Sequence, residues 1–180
     1  MKRDLIKKIK IAPGVSAQVS GSRVTVKGIK GSLEKEFKIK GVKFEVKEDE
    51  VILSAKKATK DEKRNMNTVS AHITNMIRGV DVGFEYELKI CASHFPMTVD
   101  IKGNKAFVKN FLGEKIPRDV TIPKGAEVSI DKEKIIIKSI DIEVGGQAAA
   151  NFEKSTQITN RDRRVFQDGI YITKKPGREM

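Results

Sequence analysis

The sequence predicts an α+β protein of two similar tandem domains, each a mostly antiparallel sheet with one helix packed on one face. Three observations predict it. The chain repeats itself at a nearly constant interval. Within each copy, apolar and polar residues alternate, which is the period of a strand with one wet face. Each run of strands then gives way to apolar residues three or four apart, the spacing of an amphipathic helix.

The repeat is read from four matches in order. Val26-Lys27 with Gly31 answers to Val108-Lys109 with Gly113, an offset of 82. Gly41, Val46, Val51 and Leu53 answer to Gly125, Ile130, Ile135 and Ile137, an offset of 84. Ile73-Thr74-Asn75, Arg78 and Val80 answer to Ile158-Thr159-Asn160, Arg163 and Val165 at 85, and Gly83 answers to Gly169 at 86. The offset drifts in one direction, as small loop insertions produce. Copies of about 80 residues are domain-sized rather than solenoid-sized. The expected boundaries are 1–82 for the first domain and 83–180 for the second, with a basic tail.

In the first copy Val15, Ala17 and Val19 alternate with polar residues, Gly21-Ser22 breaks the run, and Val24 and Val26 resume it, which is a hairpin signal. Leu33, Phe37 and Ile39, then Val42, Phe44 and Val46, then Val51 and Leu53 continue the alternation. Met66, Val69, Ile73, Met76 or Ile77, and Val80 carry the helical spacing. Thr59 with Glu62 forms a capping-box pattern and Gly79 a stop signal. In the second copy strands are expected near 84–90, 97–101, 106–108, 120–122, 127–130 and 134–138. A helix is expected over about 147–158, where Ala148, Phe152 and Ser155 share a side, followed by an extended segment over 169–173.

Composition narrows the function. Lys and Arg total 36 against 24 Asp and Glu, a net charge of +12, which favours anionic partners, above all nucleic acid. With no Trp and few aromatics, the cores must be aliphatic. A single cysteine, Cys91, excludes an internal disulfide and fits a reducing compartment. The basic N-terminus lacks the apolar core of a secretion signal, and no run approaches the roughly 18 apolar residues of a membrane span. A cytoplasmic protein is expected.

Catalytic and metal chemistry find little support. Cys91 and His94 have a metal-like spacing, but one Cys and two His fall short of a zinc ligand set. Residues three apart on a strand point to opposite faces, which also disfavours a Cys–His nucleophile pair. Glu48, Asp49 and Glu50 read as a solvated turn. Gly28-Ile29-Lys30-Gly31 has the GXXG pattern of a KH loop, yet strand-like segments flank it, so a hairpin turn or a backbone approach to phosphate are the readings left. No catalytic residue, metal or cofactor is expected.

Charge is unevenly spread. Residues 1–80 carry 19 Lys and Arg against 9 Asp and Glu, whereas residues 81–180 carry 17 against 15. Within the second half, 154–178 concentrates Lys154, Arg161, Arg163, Arg164, Lys174, Lys175 and Arg178 against Asp162 and Asp168. Arginine forks clamp phosphate best.

The segment Arg164-Val165-Phe166-Gln167-Asp168-Gly169-Ile170-Tyr171-Ile172 resembles the R-x-F-x-D-G-I-Y-I signature of the large-subunit ribosomal protein six family, in its archaeal and eukaryotic form. Ser93-His94-Phe95-Pro96 and Asn110-Phe111-Leu112-Gly113-Glu114-Lys115 are similar to two further stretches of that form. The resemblance runs over essentially the whole chain, and its compactness points to the archaeal type. It implies a structural, non-enzymatic component of the large ribosomal subunit. The second domain would be the main anchor on large-subunit rRNA, near the sarcin-ricin loop and the region where translational GTPases act. Charge counting alone would instead choose the first half.

Carried onto this chain, the RNA-binding residues implied are His94, Lys109, Asn110, Lys115, Arg161, Arg163, Arg164, Lys174 and Lys175. Phe111, Leu112, Phe166 and Tyr171 are candidates for stacking on bases, with burial expected for Phe166 and Leu112, and Asp168-Gly169 is expected to shape a turn. The partners implied are large-subunit rRNA and neighbouring large-subunit ribosomal proteins. No membrane or small-molecule substrate is implied, and the protein would be a monomer within the ribosome. A free-standing module that regulates an mRNA or binds a protein is the competing class.

Overall fold

The computed structural model describes residues 3–39, 41–47, 50–162 and 164–180. The chain divides into two compact units, Met1–Gly83 and Phe84–Met180. Each is built from antiparallel strands and one α-helix, the α+β tandem arrangement that the repeat predicts.

The first unit runs β1 (Arg3–Lys10), β2 (Ser16–Ser20), β3 (Arg23–Gly28), β4 (Gly31–Glu36), β5 (Lys43–Lys47), β6 (Glu50–Ala58) and α1 (Lys60–Asp81). Two three-stranded sheets form, in the orders β1-β6-β5 and β2-β3-β4. Helix α1 packs against β1, β3, β4 and β6. Val24 and Val26 from one sheet and Val51 and Leu53 from the other meet Met66, Val69, Ile73 and Val80 of the helix, all of them buried. Burying each such side chain contributes about 1.5–3 kcal/mol, so this apolar stripe is what holds α1 in place.

Strand β1 is absent from the sequence reading. Leu5, Ile6 and Ile9 lack the alternation of a strand, and only pairing with β6 extends this segment, setting Ile9 opposite Val51. Near its start the register shifts at a bulge, where Lys57 takes φ 49° and donates its backbone N–H to Asp4 Oδ1 at 2.7 Å. Of Glu48, Asp49 and Glu50, read as a turn, Glu50 is the first residue of β6, and the other two lie outside the described residues.

Thr59 caps α1, and its N–H donates to Glu62 Oε2 at 2.6 Å, as the capping-box pattern foretells. The helix runs past Gly79, which is buried within it, and ends at Asp81; Val82 is its C-cap, and Gly83 follows with φ of 79°, the left-handed residue that closes a helix. The Gly28–Gly31 stretch is the β3–β4 hairpin turn. A Cβ on Gly28 would sit 2.8 Å from the Val80 carbonyl oxygen, and the Lys30 N–H donates to that same oxygen at 2.9 Å. The glycine therefore lets the turn seat against the end of α1.

The second unit runs β7 (Phe84–Cys91), β8 (Thr98–Lys102), β9 (Lys105–Lys109), a 3-10 turn (Phe111–Gly113), β10 (Arg118–Thr121), β11 (Ala126–Asp131), β12 (Lys134–Ser139), α2 (Ile142–Ser155), β13 (Gly169–Lys175) and β14 (Arg178–Glu179). Its sheets are β10-β9-β8 and β11-β12-β7-β13-β14. Leu88, Ile135, Ile137, Phe152 and Ile170 are fully buried at its centre.

Helix α2 begins and ends earlier than the expected 147–158. Asp141 caps it by accepting the Glu143 N–H at 2.9 Å. Gly145 and Gly146, a residue type unfavourable inside a helix, lie in its first turns because the Tyr86 ring packs there. A Cβ on Gly145 would stand 2.8 Å from Tyr86 Cε2. The Tyr86 hydroxyl donates to the Ile142 carbonyl at 2.9 Å.

The two units agree in their strands and differ after the helix. Helix α1 has 22 residues and α2 has 14. Ile73-Thr74-Asn75 is helical, whereas the matching Ile158-Thr159-Asn160 lies beyond α2 in an irregular segment. Val80 is fully buried and its counterpart Val165 is exposed.

The Tyr86 contact makes a testable demand. Gly145→Ala should destabilise the second unit by about 1–3 kcal/mol through overpacking, more than offsetting the ~1 kcal/mol that alanine gains over glycine in a helix. Amide hydrogen exchange in β7, β12 and α2 should speed up accordingly. Exchange as slow as in the parent chain would show that the ring yields freely.

Candidate nucleic-acid interface

At one end of the β7–β13 ladder Cys91 pairs with Gly169, so the segments 92–97 and 156–168 leave the sheet side by side. Asp168 stands between them and is only 3% exposed. Its Oδ1 accepts the N–H of Ser93 and the N–H of His94, the latter at 2.9 Å. Its Oδ2 meets His94 Nδ1, which places the ring proton on that nitrogen. Burial alone would raise the Asp168 pKa. The His94 and Ser93 hydrogen bonds outweigh it and hold the carboxyl below its ordinary value.

A shelf forms above this tie. The His94 ring stacks on Phe166 with centroids 5.0 Å apart, and the Arg161 guanidinium rests 4.8 Å from the same ring. The other end of the 156–168 segment is pinned by Thr156, whose hydroxyl accepts the Ile170 N–H at 2.9 Å.

The third component is the turn after β9. Asn110, Leu112 and Gly113 have φ of 59°, 50° and 80°, so the chain coils left-handed through the Asn-Phe-Leu-Gly stretch. For leucine this conformation costs about 1–2 kcal/mol. Burial of Phe111 beneath the turn offsets it. Asn110 Nδ2 donates to the Pro96 carbonyl at 2.8 Å, and the Phe95 ring lies over Gly113. Arg118 supports the turn from below. Its guanidinium lies 4.3 Å from the Phe111 ring, and it donates to Glu114 and, at 2.7 Å, to the carbonyl of Ser155 at the end of α2.

The structure thus brings together His94, Asn110 and Arg161, with Lys109 and Lys115 flanking the turn. Arg163 lies outside the described residues. Arg164 follows on the same segment, its fork closed on Asp162 at 2.8 Å. Lys174 and Lys175 are not part of the cluster. They sit about 17 Å along β13 from Gly169, at the far end of the strand.

Three of the cations carry a carboxylate of their own. Lys109 pairs with Asp100 at 2.6 Å, Lys174 with Glu87 at 2.9 Å, and Arg164 with Asp162. Each partner acid is held below its ordinary pKa by the hydrogen bond from its cation. Exposed pairs of this kind are screened by solvent and contribute little, so exchanging the carboxylate for a phosphate costs little.

Of the aromatic candidates, Phe111 is buried and unable to stack on a base, because its ring anchors the turn. Phe166 is half-buried under His94 and Arg161, and Leu112 is half-buried against the core. Tyr171 and Phe95 are the exposed rings. Phe95 was legible only as part of the Ser-His-Phe-Pro string, and Arg118 gave no sequence signal at all. Cys91 is half-buried, and no group of His, Cys, Asp and Glu able to hold a metal occurs among the described residues.

The tie at Asp168 has a signed pH dependence. A carboxyl held low in the native state contributes stability above its ordinary pKa of about 3.9, and that contribution is lost as pH falls through the lowered value. Asp168→Asn should cost the second unit about 1.5–3 kcal/mol at neutral pH and flatten the loss of stability below about pH 4. Denaturation curves taken at pH 7, 4 and 2.5 check this. Parallel pH profiles for the two chains would exclude an ionised, hydrogen-bonded Asp168.

Residues 11–83 and 95–169 each match the family described as Ribosomal protein L6. The large ribosomal subunit protein uL6 of Methanococcus vannielii is 40% identical over 172 residues, covering 96% of this chain and 94% of its own length. That of Ignicoccus hospitalis is 44% identical over 169 residues, covering 91% of each chain. That of Methanosarcina mazei is 41% identical over 175 residues, covering 97% and 99%. With both repeats matched and archaeal relatives 40–44% identical over nearly their whole length, the chain belongs to the ribosomal protein L6 family, in its archaeal form.

Proposed function

We propose that this protein is a structural component of the large ribosomal subunit that binds large-subunit rRNA, with the second unit, residues 83–180, as its principal anchor. It is not an enzyme. The observation that carries the placement is the braced cluster around Asp168. Three segments meet there, and they present an imidazole, an amide and cations on supports fixed by buried contacts. Phosphate and sugar contacts of this kind position a protein on folded RNA, and exposed rings such as Phe95 and Tyr171 suit unpaired bases.

In this reading His94 and Asn110 present polar edges to the RNA, and Lys109, Lys115, Arg161, Arg163 and Arg164 meet phosphates. Lys174 and Lys175 reach a second point along β13. The site lies near the sarcin-ricin loop, beside the region where translational GTPases act, and the protein is a monomer within cytoplasmic ribosomes. Large-subunit rRNA is the first partner and neighbouring large-subunit proteins are the others. The second unit owes its role to geometry rather than to charge, since the first half is the more basic.

Two triple variants separate geometry from charge. Replacing Lys115, Arg161 and Lys175 with Gln should lower the log–log salt slope of binding to a large-subunit rRNA fragment by about 0.7–0.9 per lost contact, roughly 2 to 3 in all. Replacing Lys7, Lys8 and Lys10 removes the same charge and should change the slope less. A larger loss from the second triple, measured at matched salt, would move the anchor to the first unit.

A further inference from the structure

The two units share a sheet plan, and one of them is missing a strand. In the second unit the order is β11-β12-β7-β13, with β13 laid along the outer edge of β7. In the first unit the corresponding order is β5-β6-β1, and among the described residues nothing pairs with the outer edge of β1. The correspondence is residue by residue. Ile52 and Ile136 stand 84 apart, as the repeat requires, and their partners are Lys8 and Glu87. Ser54 and Lys138 likewise pair with Ile6 and Glu85.

The covered edge shows how its strand is chosen. Glu87 of β7 faces Lys174 of β13, and the two side chains form an ion pair at 2.9 Å. At the open edge the same position holds Lys8, with Lys10 next on that face and Lys7 on the other. The charge is inverted. Lys8 pairs with Glu50 of β6 at 3.3 Å yet stays 63% exposed, and Ile6 is 69% exposed, so the edge offers both charge and apolar surface along with unpaired backbone groups.

We propose that the outer edge of β1 receives an extended acidic polypeptide segment as an added antiparallel strand, with a carboxylate placed opposite Lys8 where β13 places Lys174 opposite Glu87. Backbone hydrogen bonds supply the pairing, and alternate side chains supply the selectivity. Asp4, on the same face, is held by the Lys57 N–H, and the lysines disfavour a second copy of β1 in registers that set Lys8 or Lys10 opposite one another. They equally disfavour any basic strand. The occupant belongs to another chain, and its chemistry is fixed by the edge: extended, acidic on one face and apolar on the other. The proposal rests on the internal repeat and stands or falls separately from the rRNA anchor of the second unit.

The probe is an eight-residue synthetic peptide of alternating Glu and Val, compared with its Lys-for-Glu analogue, added to the full chain. Amide hydrogen exchange is read over residues 5–10. The Glu peptide should slow every second amide there, those pointing away from β6, and the Lys analogue should not. Lys8→Glu, at an exposed position where the loss within the fold is the surface pair with Glu50, should weaken the Glu peptide by roughly fivefold and admit the Lys analogue, in line with cross-strand charge pairs. Equal protection by both peptides, or by neither, overturns the proposal. So does protection only by an oligouridylate, which would make the edge a phosphate-binding surface.

Discussion

The loop that carries His94, and the shelf built on it, depend on one buried carboxylate. Asp168 lies at the start of β13 and holds the backbone of Ser93 and His94, which belong to the loop after β7. These segments are more than 70 residues apart in sequence, at |i−j| of 74 and 75. No local preference brings them together. The sheet does so first, by pairing Cys91 with Gly169, and the carboxylate then fixes the loop that the sheet has delivered. His94 is orientated by the same group, and Phe166 and Arg161 build on His94 in turn. A charge this deep is tolerated because its oxygens take three hydrogen bonds from one small stretch of chain.

The duplication shows how such a site arises from an ordinary fold. The string Ile-Thr-Asn-x-x-Arg-x-Val occurs in both units. In α1 it is helix, and its Ile and Val are buried in the core. In the second unit α2 has already ended, and the string becomes the segment that carries Arg161, Arg163 and Arg164. The helix stops where Arg118 reaches the Ser155 carbonyl and Thr156 turns its hydroxyl to Ile170. Local sequence therefore did not decide between helix and loop. Contacts from β10 and β13, far along the chain, did.

This explains what could be read in advance and what could not. Most strands after β1, the tandem sheet-plus-helix plan and the α1 core were legible, because alternation and helical spacing are written in consecutive residues. Strand β1 was illegible because its extension is imposed by β6. The start of α2 was illegible because Gly145 and Gly146 break helices in isolation and serve one here, where Tyr86 needs their surface. At the site, the signature strings pointed to His94, Asn110 and Arg164, and the structure places all three in loops. They did not reveal that Asn110 braces Pro96, that Phe111 is buried, or that Lys174 stands a strand's length away. Burial and pairing across the fold settle those points, and no short motif encodes them.

The carboxylates paired with Lys109, Arg164 and Lys174 set where these cations point before anything binds. A long basic side chain on a surface is otherwise free to sweep through many rotamers. Under the proposed rRNA role, a phosphate that displaces the acid meets a cation already aimed, and the exchange costs little because the exposed pair is weak. The internal pairs therefore act as rests for side chains rather than as fasteners of the fold.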